Sequence, residues 1–130
     1  MTPLAILRRL HRALEGGAAG DALREHFTDD AVTDEYPNRI KPEGGRLDLA
    51  TIVADSVRGA GLLRRQRYDV HTSYEVGDTA IVRLTWTGEV ARNIGPFSDG
   101  QVLTAHIAQF VETRAGRVSR IATYDCYEPF

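Results

Sequence analysis

Residues 101–127 read QVLTAHIAQFVETRAGRVSRIATYDCY, and their alternation decides the fold. In the first limb, Leu103, Ala105, Ile107, Gln109 and Val111 form one set; Thr104, His106, Ala108, Phe110 and Glu112 form the other. Successive side chains of a strand point to opposite faces, so the more apolar first set faces a core. Ala115-Gly116 suits a tight turn, and the alternation resumes at Arg117 with Ile121, Thr123 and Asp125 on one parity and Tyr124 and Cys126 on the other. The stretch therefore predicts two long strands, 101–114 and 117–127, folded as a hairpin.

Upstream, the same period predicts strands over 66–76 and 79–92, turned at Gly77-Asp78, with NIGPFSDG (93–100) as a longer loop. Before residue 62 the period is helical. Leu4, Leu7, Leu10, His11 and Leu14 recur every three or four residues, predicting a helix over 3–15 that opens on Pro3 and ends at Gly16-Gly17. Asp21 can cap a short helix over 20–27, and Asp48 a third over 48–60 with Leu49, Ile52, Val53 and Val57 as its stripe. Between them, a strand runs from Ala31 to Tyr36 and stops at Pro37, which has no N–H for a ladder, and 37–47 is a loop. Helices followed by hairpins give an α+β fold: one domain over 1–130, three N-terminal helices packed on the concave face of a curved antiparallel sheet.

The composition is that of an ordinary globular chain, 42% apolar and 26% charged, with a net charge of −2. A nucleic-acid surface would show a clustered basic excess, so none is expected, Arg64-Arg65-Gln66-Arg67 alone being a solvated corner. No apolar run approaches the ~20 residues of a membrane span, and the arginines within MTPLAILRRLHRAL argue against a signal peptide. Cys126, the only cysteine, has no disulfide or CxxC partner, which suits a reducing cytoplasm. The four histidines show no ligand spacing, and no GxGxxG, P-loop or GxSxG motif is present. Neither a metal nor another cofactor is therefore expected.

Three stretches resemble the nuclear transport factor 2-like superfamily, and within it the SnoaL-like, polyketide cyclase-like branch. They are Phe27-Thr28-Asp29-Asp30-Ala31-Val32, the glycine-then-helix segment Gly45 to Val53, and Ala115-Gly116-Arg117-Val118 through Tyr124-Asp125. The resemblance implies a cone, or cystatin-like roll, with an apolar ligand cavity between helices and sheet. It implies that Asp125 is an acid/base, and desolvation would tune that carboxyl for the role. The plainer alternative is a strand-end Asp bound to a backbone amide or an Arg.

Other candidates surround it. Asp34 and Tyr36 share the parity of Val32 and face inward if Val32 does, Tyr36 offering its hydroxyl to a ligand. Ketosteroid isomerases, which this segment also resembles, carry a catalytic Asp before a Pro; here Tyr36 precedes Pro37, which argues against that activity. Parity puts Gln109 inward and His106 outward; a bulge would reverse His106 and pair it with Asp125. Trp86 follows Ala80, Val82 and Leu84 onto the core or pocket, and Tyr68, Tyr74 and His11 are wall or rim candidates. Arg83 and Arg120 read as outward, against a hydrolase that needs an interior Asp-Arg-Asp set.

Two functional classes follow. One is a SnoaL-like cyclase, isomerase, dehydratase or hydrolase acting without cofactor on an apolar or polycyclic molecule through Asp125 and His106. The other is a non-catalytic ligand-binding or dimeric interaction protein. Phe110 and Val102 on the outer parity predict a homodimer through that sheet face.

Overall fold

The computed structural model describes residues 1–130. Thr2 caps the first helix, α1 (Pro3–Glu15), by accepting from the Ala5 amide, and buries Ile6, Leu7, Leu10 and His11 on one face. A single turn, α2 (Asp21–Arg24), leads into β1 (Phe27–Glu35), β2 (Gly45–Asp48), and α3 (Leu49–Gly59), which is capped by Asp48. Four long strands complete the chain: β3 (Leu63–Val76), β4 (Thr79–Val90), β5 (Val102–Arg114) and β6 (Arg117–Tyr127).

All six strands form one sheet in the order β2-β1-β6-β5-β4-β3. Its inner face supplies Ala80, Val82, Leu84 and Trp86 from β4, Leu103, Ala105, Ile107 and Val111 from β5, and Val118 and Ile121 from β6. These pack with Leu7, Leu10, Leu23, Leu49 and Val53 of the helices in a single core. Burying such side chains stabilises the fold by about 1.5–3 kcal/mol each. The expected α+β roll is thus what forms, with no helix long and apolar enough to cross a membrane.

Three local expectations are corrected. The second helix is shorter than 20–27, because the chain already joins the sheet at Phe27, opposite Val118, and the Val118 amide bonds the His26 carbonyl at 2.9 Å. Residues 45–48 are a strand, antiparallel to β1, and β1 in turn runs parallel to β6, so the sheet is not antiparallel throughout. The β1–β2 connection needs Gly44 (φ +64°): a Cβ there would lie 2.5 Å from the Glu35 carbonyl oxygen.

The third correction concerns which way β1 faces. Its register against β6 shifts between Phe27 and Val32, and Ala31, 2% exposed, takes the inward position. A one-residue slip moves every following side chain to the other face. Thr33 and Glu35, opposite Ile121 and Thr123, therefore share the inner side, whereas Val32, Asp34 and Tyr36 lie outside.

Candidate functional site

Strand β6 carries Thr123 and Asp125 on the inner face at the end of the sheet where β1 finishes and β5 begins. The Thr123 hydroxyl donates to Asp125 Oδ1 at 2.6 Å. Having donated, the Thr123 oxygen accepts from Gln109 Nε2 at 3.3 Å, and Gln109 Oε1 accepts from His11 Nε2 at 3.1 Å. The carboxylate, an acceptor, thus sets the direction of a chain that runs from α1 across β5 to β6, and it assigns the His11 proton to Nε2.

Aromatic rings wall this chain. Tyr68 of β3 stacks on His11, centroids 4.4 Å apart and planes 11° from parallel. Trp86 meets Tyr127 edge-on at 6.2 Å, Tyr127 meets Phe130 at 6.1 Å, and Phe130 packs on Phe97 at 5.3 Å. Arg39 lies 4.7 Å over the Phe130 ring and donates to its carbonyl. The indole is held in turn: Trp86 Nε1 donates to Gln66 Oε1 at 3.0 Å, and Gln66 Nε2 to the Leu14 carbonyl at 2.9 Å. Gly88 leaves room for that ring, since a Cβ there would sit 2.5 Å from Trp86 Cη2.

The electrostatics follow from this enclosure. Burial pushes the Asp125 carboxyl above its ordinary value of 3.8; the Thr123 hydrogen bond pulls it down, and the negative charge of Glu35 adds to the rise. Glu35 is itself held, by Asn38 Nδ2 at 2.9 Å and Lys41 Nζ at 3.7 Å. Two inward carboxylates therefore sit in different surroundings, one with a cation and an amide, the other with a single hydroxyl. Burial lowers His11 below 6.5 despite the opposing pull of Gln109 and Glu15. It also raises Tyr68 and Tyr127, with the charge of Asp125 next in effect.

The structure brings Asp125, Gln109, His11 and Trp86 to the inner side. It does not bring His106 there. The β4–β5 register is unbroken, and the one irregularity between β5 and β6 falls after Glu112, so no bulge turns His106 inward. Its ring lies on the outer face, 2.8 Å from Glu128, and the His106–Asp125 pair does not form. Asp34, expected inside, is clasped on the outer face by Arg120 at 2.7 Å and Arg46 at 3.7 Å. Tyr36, also expected inside, stacks on outer-face Tyr124 at 4.4 Å. Tyr74, 60% exposed near the β3–β4 turn, joins neither group. Sequence reading missed Glu35 on the inner side; its one signal was the inward need of small, buried Ala31, four positions earlier.

The main clefts do not open on Asp125. The two largest, of 430 Å³ and 420 Å³, lie beside Gln66 and Gly88 and beside Arg9 and His26; a smaller one of 230 Å³ between α1 and β3 reaches His11 and Tyr68, and one of 250 Å³ on the outer face is lined by His71, Arg83, His106 and Tyr124. No three His, Cys, Asp or Glu side chains converge as a metal-ligand set.

Comparison with known proteins agrees with this fold. No curated protein matches the chain in sequence. Solved structures do match in fold. The one named "IdmH, a putative polyketide cyclase" from Streptomyces antibioticus superposes with a TM-score of 0.77 at 18% identity, covering 96% of this chain and 92% of its own. AclR from Streptomyces galilaeus, named as a "putative hydroxylase", gives 0.74 at 14% identity over 95% and 77%. A Catenulispora acidiphila protein described as having a ketosteroid isomerase-like fold, solved with trimethylamine, gives 0.71 at 18% over 95% and 86%. The SnoaL-like domain model matches residues 7–121, nearly the whole chain, and the protein therefore belongs to the SnoaL-like domain family.

Proposed function

We propose that the protein is a small-molecule enzyme that uses Asp125 as its acid/base on an apolar or polycyclic ligand, with no cofactor. The observation that supports this reading is the desolvated Asp125 carboxyl. It faces aromatic walls, holds one hydroxyl hydrogen bond, and lies near a second carboxylate that resists its ionisation. A carboxyl whose pKa is moved toward neutrality is suited to proton transfer in cyclisation, isomerisation, dehydration or epoxide opening. Trp86, Tyr68 and Tyr127 supply flat surfaces for rings, and Gln109 holds the line of donors behind the carboxylate. His106, on the other face, has no part in it.

The Tyr127, Phe130 and Phe97 rings pack in series just beyond Asp125 in the chain, and none of the main clefts opens on that carboxyl. That closure favours a second reading, a binder that holds its ligand without transforming it. A thermal-shift screen of aromatic and polycyclic compounds on the native protein and on Asp125→Asn tests the proposal. A compound that stabilises both but is transformed only by the native protein supports the enzyme. Equal turnover by the two proteins overturns the role of Asp125, and stabilisation without turnover supports the binder.

We also propose a homodimer through the outer sheet face. Phe110, Tyr124 and Tyr36 form a contiguous aromatic cluster there, with Val102 exposed at 60% on the same face. Light scattering at micromolar concentration should return twice the 14.4 kDa chain mass. A monomer mass would refute it. The exposed single thiol of Cys126 fits a cytoplasmic location.

A further inference from the structure

Tyr68 and Tyr127 carry polar groups that the fold leaves unused. The two residues share one row across the inner face: Tyr68 pairs with Trp86, Trp86 with Ala105, and Ala105 with Tyr127. Both rings pack against the core, Tyr68 flat on His11 and Tyr127 edge-on to Trp86. A buried tyrosine ordinarily finds a partner for its hydroxyl. Trp86, Gln66, Gln109 and Thr123 around them all have theirs, and these two hydroxyls have none. No buried side-chain nitrogen or oxygen of the chain lacks a hydrogen bond, so both hydroxyls border space that a water-sized group can enter.

Asp125 lies two residues before Tyr127 on the same face of β6, opposite Ile107. Its Oδ1 accepts from Thr123, and its Oδ2 has no partner. The charge of Asp125 is felt at both hydroxyls, and Tyr127 is felt at Tyr68, so the three groups border one region. Burial pushes both phenols above their ordinary value of 10.0, and both therefore stay O–H donors throughout the neutral range.

This combination selects among ligands. An anion would meet the charges of Asp125 and Glu35, and Lys41 is already taken by Glu35. An ammonium group would suit Asp125 but offers no acceptor to either hydroxyl. A pure hydrocarbon would desolvate two hydroxyls and leave them unpaired, which is costly. A carbonyl oxygen accepts from O–H donors and brings no charge.

We infer that Tyr68 and Tyr127 are the ligand's hydrogen-bond donors and that the ligand is a neutral aromatic ketone, its carbonyl oxygen on these hydroxyls and its ring against Trp86. This rests on the inner face being the ligand site, as proposed above, and names the ligand class for it. Tyr68 and Tyr127 hold the ligand, and Asp125 keeps the acid/base role.

1-Indanone and indane, which differ by the carbonyl oxygen, are the test compounds. By calorimetry the native protein should bind 1-indanone at least tenfold more tightly than indane. Tyr68→Phe/Tyr127→Phe keeps both rings and removes only hydroxyls that bond nothing within the chain, so its urea midpoint should match the native one. The double variant should lose at least tenfold in its preference for 1-indanone over indane. The infrared carbonyl stretch of bound 1-indanone should lie lower in the native complex than in that of the variant. Turnover is not read, and Asp125→Asn should bind 1-indanone within threefold of native, so failure of the acid/base reading leaves this result standing. No binding of 1-indanone, equal binding of the two compounds by the native protein, or a preference in the double variant within twofold of native overturns the inference.

Discussion

Replacing Gln109 by Leu tests whether the hydrogen-bond chain supports the inner face. Leucine matches glutamine in size and removes both of its polar ends. His11 Nε2 then loses its acceptor at 3.1 Å, and its ring, 5% exposed and stacked on Tyr68, cannot turn to water without breaking that stack. An orphaned buried N–H costs about 1–3 kcal/mol. The Gln109–Thr123 bond, long at 3.3 Å, contributes about 0.5 kcal/mol, and Thr123 keeps Asp125 as its acceptor. The gain from the buried leucine offsets part of this, leaving a net loss of about 2 kcal/mol. Urea unfolding at pH 7.5 is the assay, because burial keeps His11 neutral there. With a slope of about 2 kcal/mol/M the midpoint should fall by about 1 M. In His11→Phe/Gln109→Leu neither group is left unpaired, so the double variant should recover about 1 kcal/mol relative to the sum of the single losses. A single-variant loss under 0.3 kcal/mol, or strict additivity, would refute the reasoning.

Gly88→Ala should lose about 1–3 kcal/mol in the same assay and shift the Trp86 fluorescence maximum, because the new Cβ meets the rigid indole at 2.5 Å. Asp125→Asn should be more stable than native at pH 7.5. The folded carboxyl titrates above 3.8, so the folded state holds more protons between 3.8 and that higher value, and native stability falls as pH rises through the window. The advantage of Asn should therefore close as the pH is lowered below 3.8; an Asn variant less stable at pH 7.5 would contradict the desolvation argument.

Much of the roll was legible because β4, β5 and β6 from Ile121 onward keep strict alternation against a one-sided core. Leu103, Ala105, Ile107, Gln109 and Val111 read inward from parity, and they are inward. The same rule put His106 outside, and only an imagined bulge put it in. The reading failed at β1, where a register shift against β6 exchanges the faces, and mixed residues such as Thr33, Asp34 and Glu35 carry no apolar signal to expose the slip. It missed β2, whose four residues offer one apolar side chain, Leu47. The closure by Phe97, Tyr127 and Phe130 was illegible because it joins a hairpin loop to the chain's last residues through tertiary packing alone. Of the inner polar chain, sequence supplied the members Asp125, Gln109 and His11 but not their connection, which depends on α1 lying across β5.

The most direct test of the central claim is the carboxyl-carbon NMR titration of Asp125 in the free protein. The structure predicts a pKa above 3.8, and a shift back toward 3.8 when Glu35 is replaced by Gln, because Glu35's charge is one source of the rise. A value at or below 3.8 in the native protein would mean an ordinary, solvated carboxylate and would contradict the proposed acid/base role.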